Sequence, residues 1–190
     1  ANDIYIEQVG DDLDLDITQD GQNNEVGDSS ADAVFAGDNM TFAITQTGNT
    51  NTINATIKGT TYTGTWAFIG NSNAVDLLCS SGSTGNCDTV TLNITTTGDD
   101  NTFDFDIGEV GSADNSTVAF TITGDNNVIN TDVDGVSAAV SVTINNASSL
   151  STNSGNSDEG VALNLNIDGN GDVNGHTFTL DVTGGGGTVD

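Results

Sequence analysis

The feature that most constrains this chain is a short phrase that recurs along it. An alternating apolar segment is followed by Gln or Thr, then by Gly, and then by residues rich in Asn and Asp. The phrase reads LDLDITQDGQNN at residues 13–24, FAITQTGNTN at 42–51 and LNITTTGDDN at 92–101. Internal repeats reveal architecture before most other signals do. The tightest repeat, from Gly10 to Gly21, is eleven residues long.

Within each repeat, apolar and polar residues alternate, which is the period of a β-strand with one buried face. Leu13, Leu15 and Ile17 share one side of their segment, and Asp14 and Asp16 share the other. Each eleven-residue unit therefore predicts one strand and one turn, and two units predict one coil. Because stacked coils bury their inward rows continuously, the sequence predicts an all-β protein, a β-solenoid of stacked two-strand coils.

A second architecture fits the same alternation. A β-sandwich, pilin-like subunit could donate its N-terminal strand to a neighbour, in which case residues 2–9 would pair in another protomer. Under either architecture we expect a single domain over residues 1–190. Less regular segments predict loop inserts near residues 28–36, 79–87 and 146–159.

Inward amide side chains recur at the same place in successive units. Stacked strands lie about 4.8 Å apart, a spacing at which side-chain amides can hydrogen-bond from coil to coil. The sequence therefore predicts a repeat ladder built from Gln8, Gln19, Asn24, Gln46, Asn51 and Asn101.

The motif Gln-x-Gly-x-x-Asn occurs at residues 19–24 and again at 46–51. Together with the eleven-residue step from Gln8 to Gln19, it resembles the curlin repeat of secreted, curli-type fibres. The match covers residues 4–57, and Thr96 or Thr97 takes the place of Gln before Gly98. The resemblance implies a β-solenoid that assembles end to end into extracellular fibrils, as a homopolymer of a secreted protein.

The charge of the chain restricts its partners. It has 28 acidic residues and a single Lys or Arg side chain, which gives a formal net charge of −27. Phosphate affinity depends on Lys and Arg, so nucleic-acid binding is excluded. No segment is long and apolar enough for insertion into a membrane. The partners that remain are cations and copies of the same chain, and we expect salt and divalent cations to promote assembly.

One segment has the spacing of a calcium loop. Asp168, Asn170 and Asp172 place oxygen atoms at alternate positions, as in the first half of an EF-hand loop, so Ca²⁺ is the cofactor that they would hold. Val173 stands where the sharp turn of that loop needs Gly. The alternative interpretation is a simple turn between two strands.

Cys79 and Cys87 bracket a turn-like stretch, where a disulfide would close a loop in an extracellular protein. Two free thiols are the alternative. Tyr62 and Trp66 could form an exposed row that binds sugar, or they could fill the core.

Catalysis is not expected from this composition. The chain has no Arg, one Lys and one His, His176, so groups that clamp substrates or stabilise oxyanions are scarce. We therefore expect a structural subunit that self-assembles into an extracellular fibre, as part of a matrix, an appendage or a virion, and not an enzyme. The alternative function is an acidic, Ca²⁺-dependent adhesin or a carbohydrate-binding module.

Overall fold

The structure is a computed structural model that describes residues 2–21, 24–27, 30, 32–79, 87–107, 114–124, 127–134, 137–145, 150–151, 161–168 and 177–183. These residues form β-strands and turns, and no helix occurs among them. In particular, no helix in this part of the chain could cross a membrane.

The strands belong to two sheets. Sheet A contains β1 (Asn2–Ile4), β2 (Glu7–Val9), β4 (Asn24–Val26), β5 (Ala33–Ala36), β7 (Thr52–Lys58), β9 (Ala74–Cys79), β11 (Thr102–Ile107), β13 (Val128–Asp134), β15 (Leu150–Ser151) and β16 (Val161–Asp168). Sheet B contains β3 (Asp14–Asp20), β6 (Met40–Thr47), β8 (Tyr62–Ile69), β10 (Thr91–Thr97), β12 (Thr117–Thr123), β14 (Ala139–Asn145) and β17 (Thr177–Thr183).

Every strand pairs in parallel with strands of the same sheet, and the chain alternates between the two sheets as it advances. The predicted β-solenoid is confirmed. The pilin-like alternative is wrong for this chain, because β1 pairs with β4 and β2 pairs with β5 within the same molecule.

The register shows how the sequence repeat builds the coil. In the shortest coils, a residue and its partner in the adjacent coil are 22 positions apart in the sequence, which is two eleven-residue units. Longer coils advance by 26 to 38 residues, and the extra residues lie between strands. The alternation of each strand is preserved across these insertions, so the inward rows stay aligned through the stack.

The first insert is shorter than predicted. Val26 and Ala33, both fully buried, flank it and stack on Ile53 and Ala55 of the continuous strand β7. Residues 33–36 therefore form strand β5, although the sequence suggested a loop near residues 28–36, because Ala33 and Phe35 resume the inward row.

The other two predicted inserts lie mostly outside the described residues. Cys79 is the last residue of β9, and residues 80–86 are not described. The stretch near 146–159 contains the short strand β15, and the rest of it is not described.

The turns depend on a column of glycines. Gly70 has φ near +130°, and a Cβ atom there would lie 2.0 Å from the carbonyl oxygen of Gly48 in the adjacent coil. Gly98 stacks on Gly70 in the same way. Only glycine has both the conformational freedom and the small size that this approach of two backbones requires.

Aromatic side chains fill the middle of the solenoid. Trp66 is fully buried and packs against Phe42 and Phe105, with ring centroids 6.0 and 6.1 Å away. The Trp66 indole N–H donates to the hydroxyl of Tyr62 at 3.2 Å across Gly64. Tyr62 and Trp66 therefore belong to the core, and the interpretation of them as an exposed sugar-binding row is wrong.

Candidate assembly interface

The N-terminal end of the solenoid exposes strand edges. Within the described residues, β3 pairs only with β6, and β2 pairs only with β5. The inward side chains of this coil are less covered than those of later coils, and Leu13 and Leu15 are only partly buried. Ile4 and Ile6, which face the core of the same coil, are also only partly buried. The end of the core is therefore open to a further layer.

The last described strand of sheet B also has an edge that no other described strand pairs with. Strand β17 pairs with β14 and, among the described residues, with no other strand. Phe178 stacks in register on the buried Val140, yet its own side chain is 45% exposed because no described strand covers it. The short strand β15 lies on the outer edge of β16, where Leu150 pairs with Val161 and Ser151 with Ala162.

The register of the paired strands shows which residues of a second copy would continue each column of stacked side chains. In sheet B, one inward column runs from Leu15 through Phe42 and ends at Phe178. In sheet A, the column that starts at Ile4 runs in register through Ile53 to position 163 of β16. A second copy added at the C-terminal end would therefore place its Leu15 on Phe178 and its Ile4 on Leu163.

Charges at such a junction would not oppose each other directly. Continued in register, Asp14, Asp16 and Asp20 of β3 would meet Thr177, Thr179 and Thr183 of β17. Asp181 would meet Thr18. Like charges in directly opposed positions destabilise a pair of strands. Continued in register, no carboxylate of β3 would therefore lie directly opposite a carboxylate of β17.

A buried column of asparagines runs along one corner of the solenoid. The side-chain oxygen of Asn51 accepts a hydrogen bond from the backbone N–H of Asn24 at 3.2 Å, and that of Asn73 accepts from Asn51 at 3.0 Å. The pattern continues from Asn73 to Asn101 at 2.9 Å and from Asn101 to Asn127 at 3.0 Å. Every asparagine of the column after Asn24 thus satisfies a buried backbone donor of the preceding one.

The sequence prediction named Asn24, Asn51 and Asn101 for this ladder and missed Asn73 and Asn127. Both occur in the repeated turn phrases, as the last asparagine of GNSN at 70–73 and of GDNN at 124–127. Their position three residues after a turn glycine is the signal that could have identified them.

The glutamine ladder is shorter. The Gln46 amide donates to the side-chain oxygen of Gln19 at 2.6 Å, and both side chains are buried. The next coil has Phe68 in this column. Gln8 is in register with Phe35, so its inclusion in a glutamine ladder is wrong. The eleven-residue step from Gln8 to Gln19 carries the chain from one sheet to the other.

A second ladder lies at the exposed turns. The side-chain oxygen of Asp38 accepts from the backbone N–H of Thr60 at 2.8 Å, which lowers the pKa of Asp38. Asn49 accepts from Asn71 at the same distance on the other turn. Here the side chain of the earlier coil accepts, whereas in the buried column the side chain of the later coil accepts.

Acidic residues also stack on the outer face of sheet A. Asp76 and Asp104 are in register on adjacent strands. Partial desolvation, followed by the negative charges of Asp104 and Asp32, raises the pKa of Asp76. No group of His, Cys, Asp and Glu among the described residues is arranged to hold a metal ion.

The predicted calcium residues cannot be assigned a geometry. Asp168 is the last residue of β16, and its side chain is not described, while Asn170 and Asp172 lie outside the described residues. His176 also lies outside them. The calcium site therefore stays a prediction.

Cys79 and Cys87 form a disulfide, with their Cα atoms 5.9 Å apart. Both side chains are buried at the end of β9. The bond closes the stretch that joins β9 of sheet A to β10 of sheet B. It therefore links the end of β9 to the residues that lead into β10.

Comparisons with protein-family models, with curated proteins and with solved structures found no match. The resemblance to the curlin repeat accordingly stays a prediction from the sequence motif.

Proposed function

We propose that this protein is the structural subunit of an extracellular fibre and that it polymerises end to end through its terminal coils. The carrying observation is the pair of open strand edges, β3 at one end and β17 at the other, whose inward columns continue each other in register. Exposed edges of this kind are templates for pairing with another chain, and natural monomers normally block them.

Apolar contact supports the same junction. Phe178, which is 45% exposed, would be covered by Leu15 of the next copy, and the partly buried Leu180 would be covered by Ile17. Burying a large apolar side chain contributes about 1.5–3 kcal/mol. Strand β15 occupies the place that Asn2 and Asp3 of a neighbour would take, so the proposed junction depends mainly on β3 and β2.

The remaining parts of the proposal follow from chemistry. The net charge of −27 opposes association at low salt, so filaments should form more readily as ionic strength rises. The Cys79–Cys87 disulfide favours an oxidising compartment outside the cytoplasm. A role in mechanical structure needs no catalytic group, in keeping with the expectation that the chain is not an enzyme.

The test uses a proline at the outer edge of β3. The N–H of Gly21 donates to Thr47 of β6, and N–H groups alternate in direction along a strand, so the N–H of the exposed Thr18 points away from β6. Thr18→Pro therefore removes a donor that only an incoming chain would use. We expect electron microscopy to show filaments for the parent protein and for Thr18→Val, and none for Thr18→Pro.

Mixing separates a blocked edge from a misfolded chain. Thr18→Pro retains its β17 edge, so it should join a filament and then expose a blocked edge. Filaments grown with a small fraction of Thr18→Pro should therefore be several-fold shorter than those grown with added Thr18→Val. A parent protein that stays monomeric at high salt, or a Thr18→Pro chain that polymerises normally, would overturn the proposal.

A further inference from the structure

The outer face of sheet B is free of charge over its five central strands. Every outward position of β6, β8, β10, β12 and β14 holds Thr, Ala, Ser, Asn or Ile. This is unexpected in a chain with 28 acidic residues, because outward positions are where those acids would normally lie. We call this surface the threonine face.

Charges return at the borders of the threonine face and on the opposite side of the molecule. Asp14, Asp16 and Asp20 point outward from β3, and Asp181 points outward from β17. The outer face of sheet A carries Asp76, Asp104 and Asp106 among others. The acids are therefore segregated away from one surface and are not scattered evenly.

The threonine face is also regular. Thr41, Thr63, Thr91 and Thr117 form an uninterrupted column across adjacent strands. Threonine is β-branched and therefore stiff, so ordering its side chain at an interface costs little conformational entropy. Each threonine presents a methyl group and a hydroxyl, which suits close packing of two sheets of low charge.

We propose that the threonine face binds the same face of a second copy, with the two solenoids running antiparallel. A net charge of −27 on each copy opposes approach through any acidic surface, so the uncharged face is where two copies can meet. In a parallel arrangement the aspartates of β3 would face each other. In the antiparallel arrangement they face β17, where the described outward residues are Thr177, Thr179 and Asp181. The pairing is a two-fold, self-complementary contact.

The size of the face sets the expected strength. Strands about 4.8 Å apart with a rise of about 3.3 Å per residue give a footprint of roughly 550 Å² on each copy. The total of roughly 1,100 Å² lies at the weak end of specific interfaces. A single pair should therefore dissociate on dilution, whereas a polymer that repeats the face would be held by many such contacts.

The test is made in the Thr18→Pro background, so that end-to-end growth does not interfere. Thr95 lies exposed near the centre of the threonine face, on β10, and Thr102 lies exposed on the outer face of sheet A, on β11. Thr95→Glu and Thr102→Glu make the same chemical change on opposite sides of the molecule. Circular dichroism checks that each variant keeps its strand content.

Sedimentation equilibrium at moderate salt should show the Thr18→Pro chain rising from 19.3 kDa toward twice that mass as its concentration increases. Thr102→Glu should leave the dissociation constant within about twofold, and Thr95→Glu should weaken it at least tenfold. A parent that stays monomeric at every concentration, or two glutamate variants that behave alike, would overturn the inference.

The same variants in the otherwise unchanged chain give a second readout. Filaments of the parent and of Thr102→Glu should associate side by side, and filaments of Thr95→Glu should stay single. Dimers without filaments would support the threonine face and contradict the proposed fibre. Filaments whose side-by-side association is unchanged by Thr95→Glu would support the proposed fibre and contradict the role of the threonine face.

Discussion

The buried asparagine column and the buried glutamine column have the same side-chain chemistry but different lengths. The asparagine column runs from Asn24 to Asn127. The glutamine column joins only Gln19 to Gln46, and Phe68 follows in the same register. Both columns lie inside the solenoid, so burial alone does not explain why one persists and the other stops.

The difference lies in what each amide satisfies. The side-chain oxygens of Asn51, Asn73, Asn101 and Asn127 accept backbone N–H groups that are buried at the corner of the coil. An apolar residue there would leave a main-chain donor without a partner, at a cost of about 1–3 kcal/mol. The Gln46 amide donates only to the side chain of Gln19, and the Gln19 amide makes a long contact of 3.4 Å with the carbonyl oxygen of Glu25, so no backbone N–H depends on this pair. Polar ladders therefore persist where they complete the hydrogen bonding of the backbone.

The sharpest way to break this comparison is Asn101→Ala. The substitution removes the acceptor for the backbone N–H of Asn73 and the amide that donates to Asn127 at 2.9 Å. We expect the free energy of unfolding to fall by about 2–4 kcal/mol, because a buried donor loses its partner and a linked network is interrupted. Urea denaturation of dilute protein, followed by the fluorescence of the buried Trp66, measures the change.

Asn93→Ala is the matched control. Asn93 lies on the outer face of β10 and is exposed, so its loss should change stability by no more than about 0.5 kcal/mol. Equal losses for Asn93→Ala and Asn101→Ala would show that the buried column has no special role.

Gln46→Leu should have a smaller effect. The buried Oε1 atom of Gln46 has no hydrogen-bond partner, and its neighbour in the next coil is Phe68. Leucine keeps most of the volume and removes the unsatisfied oxygen, which partly offsets the loss of the donor to the buried Gln19 oxygen. We therefore expect a net loss of less than about 1.5 kcal/mol in the same denaturation assay. Gln46→Ala, which leaves a cavity, should cost more than Gln46→Leu. A Gln46→Leu loss as large as that of Asn101→Ala would contradict the distinction between the two columns.

The sequence was sufficient to predict the solenoid because the alternation and the eleven-residue step are local properties that stacking preserves. The coil of 22 residues follows directly from two such steps. The partners within each column were harder to predict. Column membership depends on which sheet a unit enters, and the eleven-residue spacing alone does not show that Gln8 and Gln19 lie in different sheets.

The sequence contains the uncharged residues of the threonine face, but it does not show that they lie together on one surface. Thr41, Thr63 and Thr91 are separated by intervals of unequal length, because the coils differ in their inserts. Only the register shows that they form one column. The composition reported an acidic chain and could not show that its acids avoid one side.

A column of carboxylates on the outer face of sheet A offers the last comparison with the amides. Stacked amides can donate and accept, whereas the stacked carboxylates of Asp76 and Asp104 only repel each other when ionised. Desolvation and the neighbouring charges raise the pKa of Asp76 above its ordinary value of 3.8. A substitution of Asp76 should change the free energy of unfolding less than Asn101→Ala or Gln46→Leu does, because Asp76 remains largely in contact with water.

Asp76→Asn converts one rung of this column from a carboxylate to an amide. Between the ordinary and the raised pKa, the folded protein binds more protons than the unfolded chain does. The free energy of unfolding contributed by Asp76 therefore falls as the pH rises through this window, and above the window it stays lowered. We expect Asp76→Asn to be more stable than the parent at neutral pH, with the difference closing as the pH falls below 3.8.

Asp16→Asn is the control for this prediction. It removes the same charge from β3, where the residue in register on β6 is the uncharged Ala43. Urea denaturation at neutral pH should show a smaller gain in stability for Asp16→Asn than for Asp76→Asn. Equal increases in the free energy of unfolding for the two variants would contradict this prediction. They would show that the stabilisation comes from the lower net charge of the chain and not from relief of repulsion between stacked carboxylates.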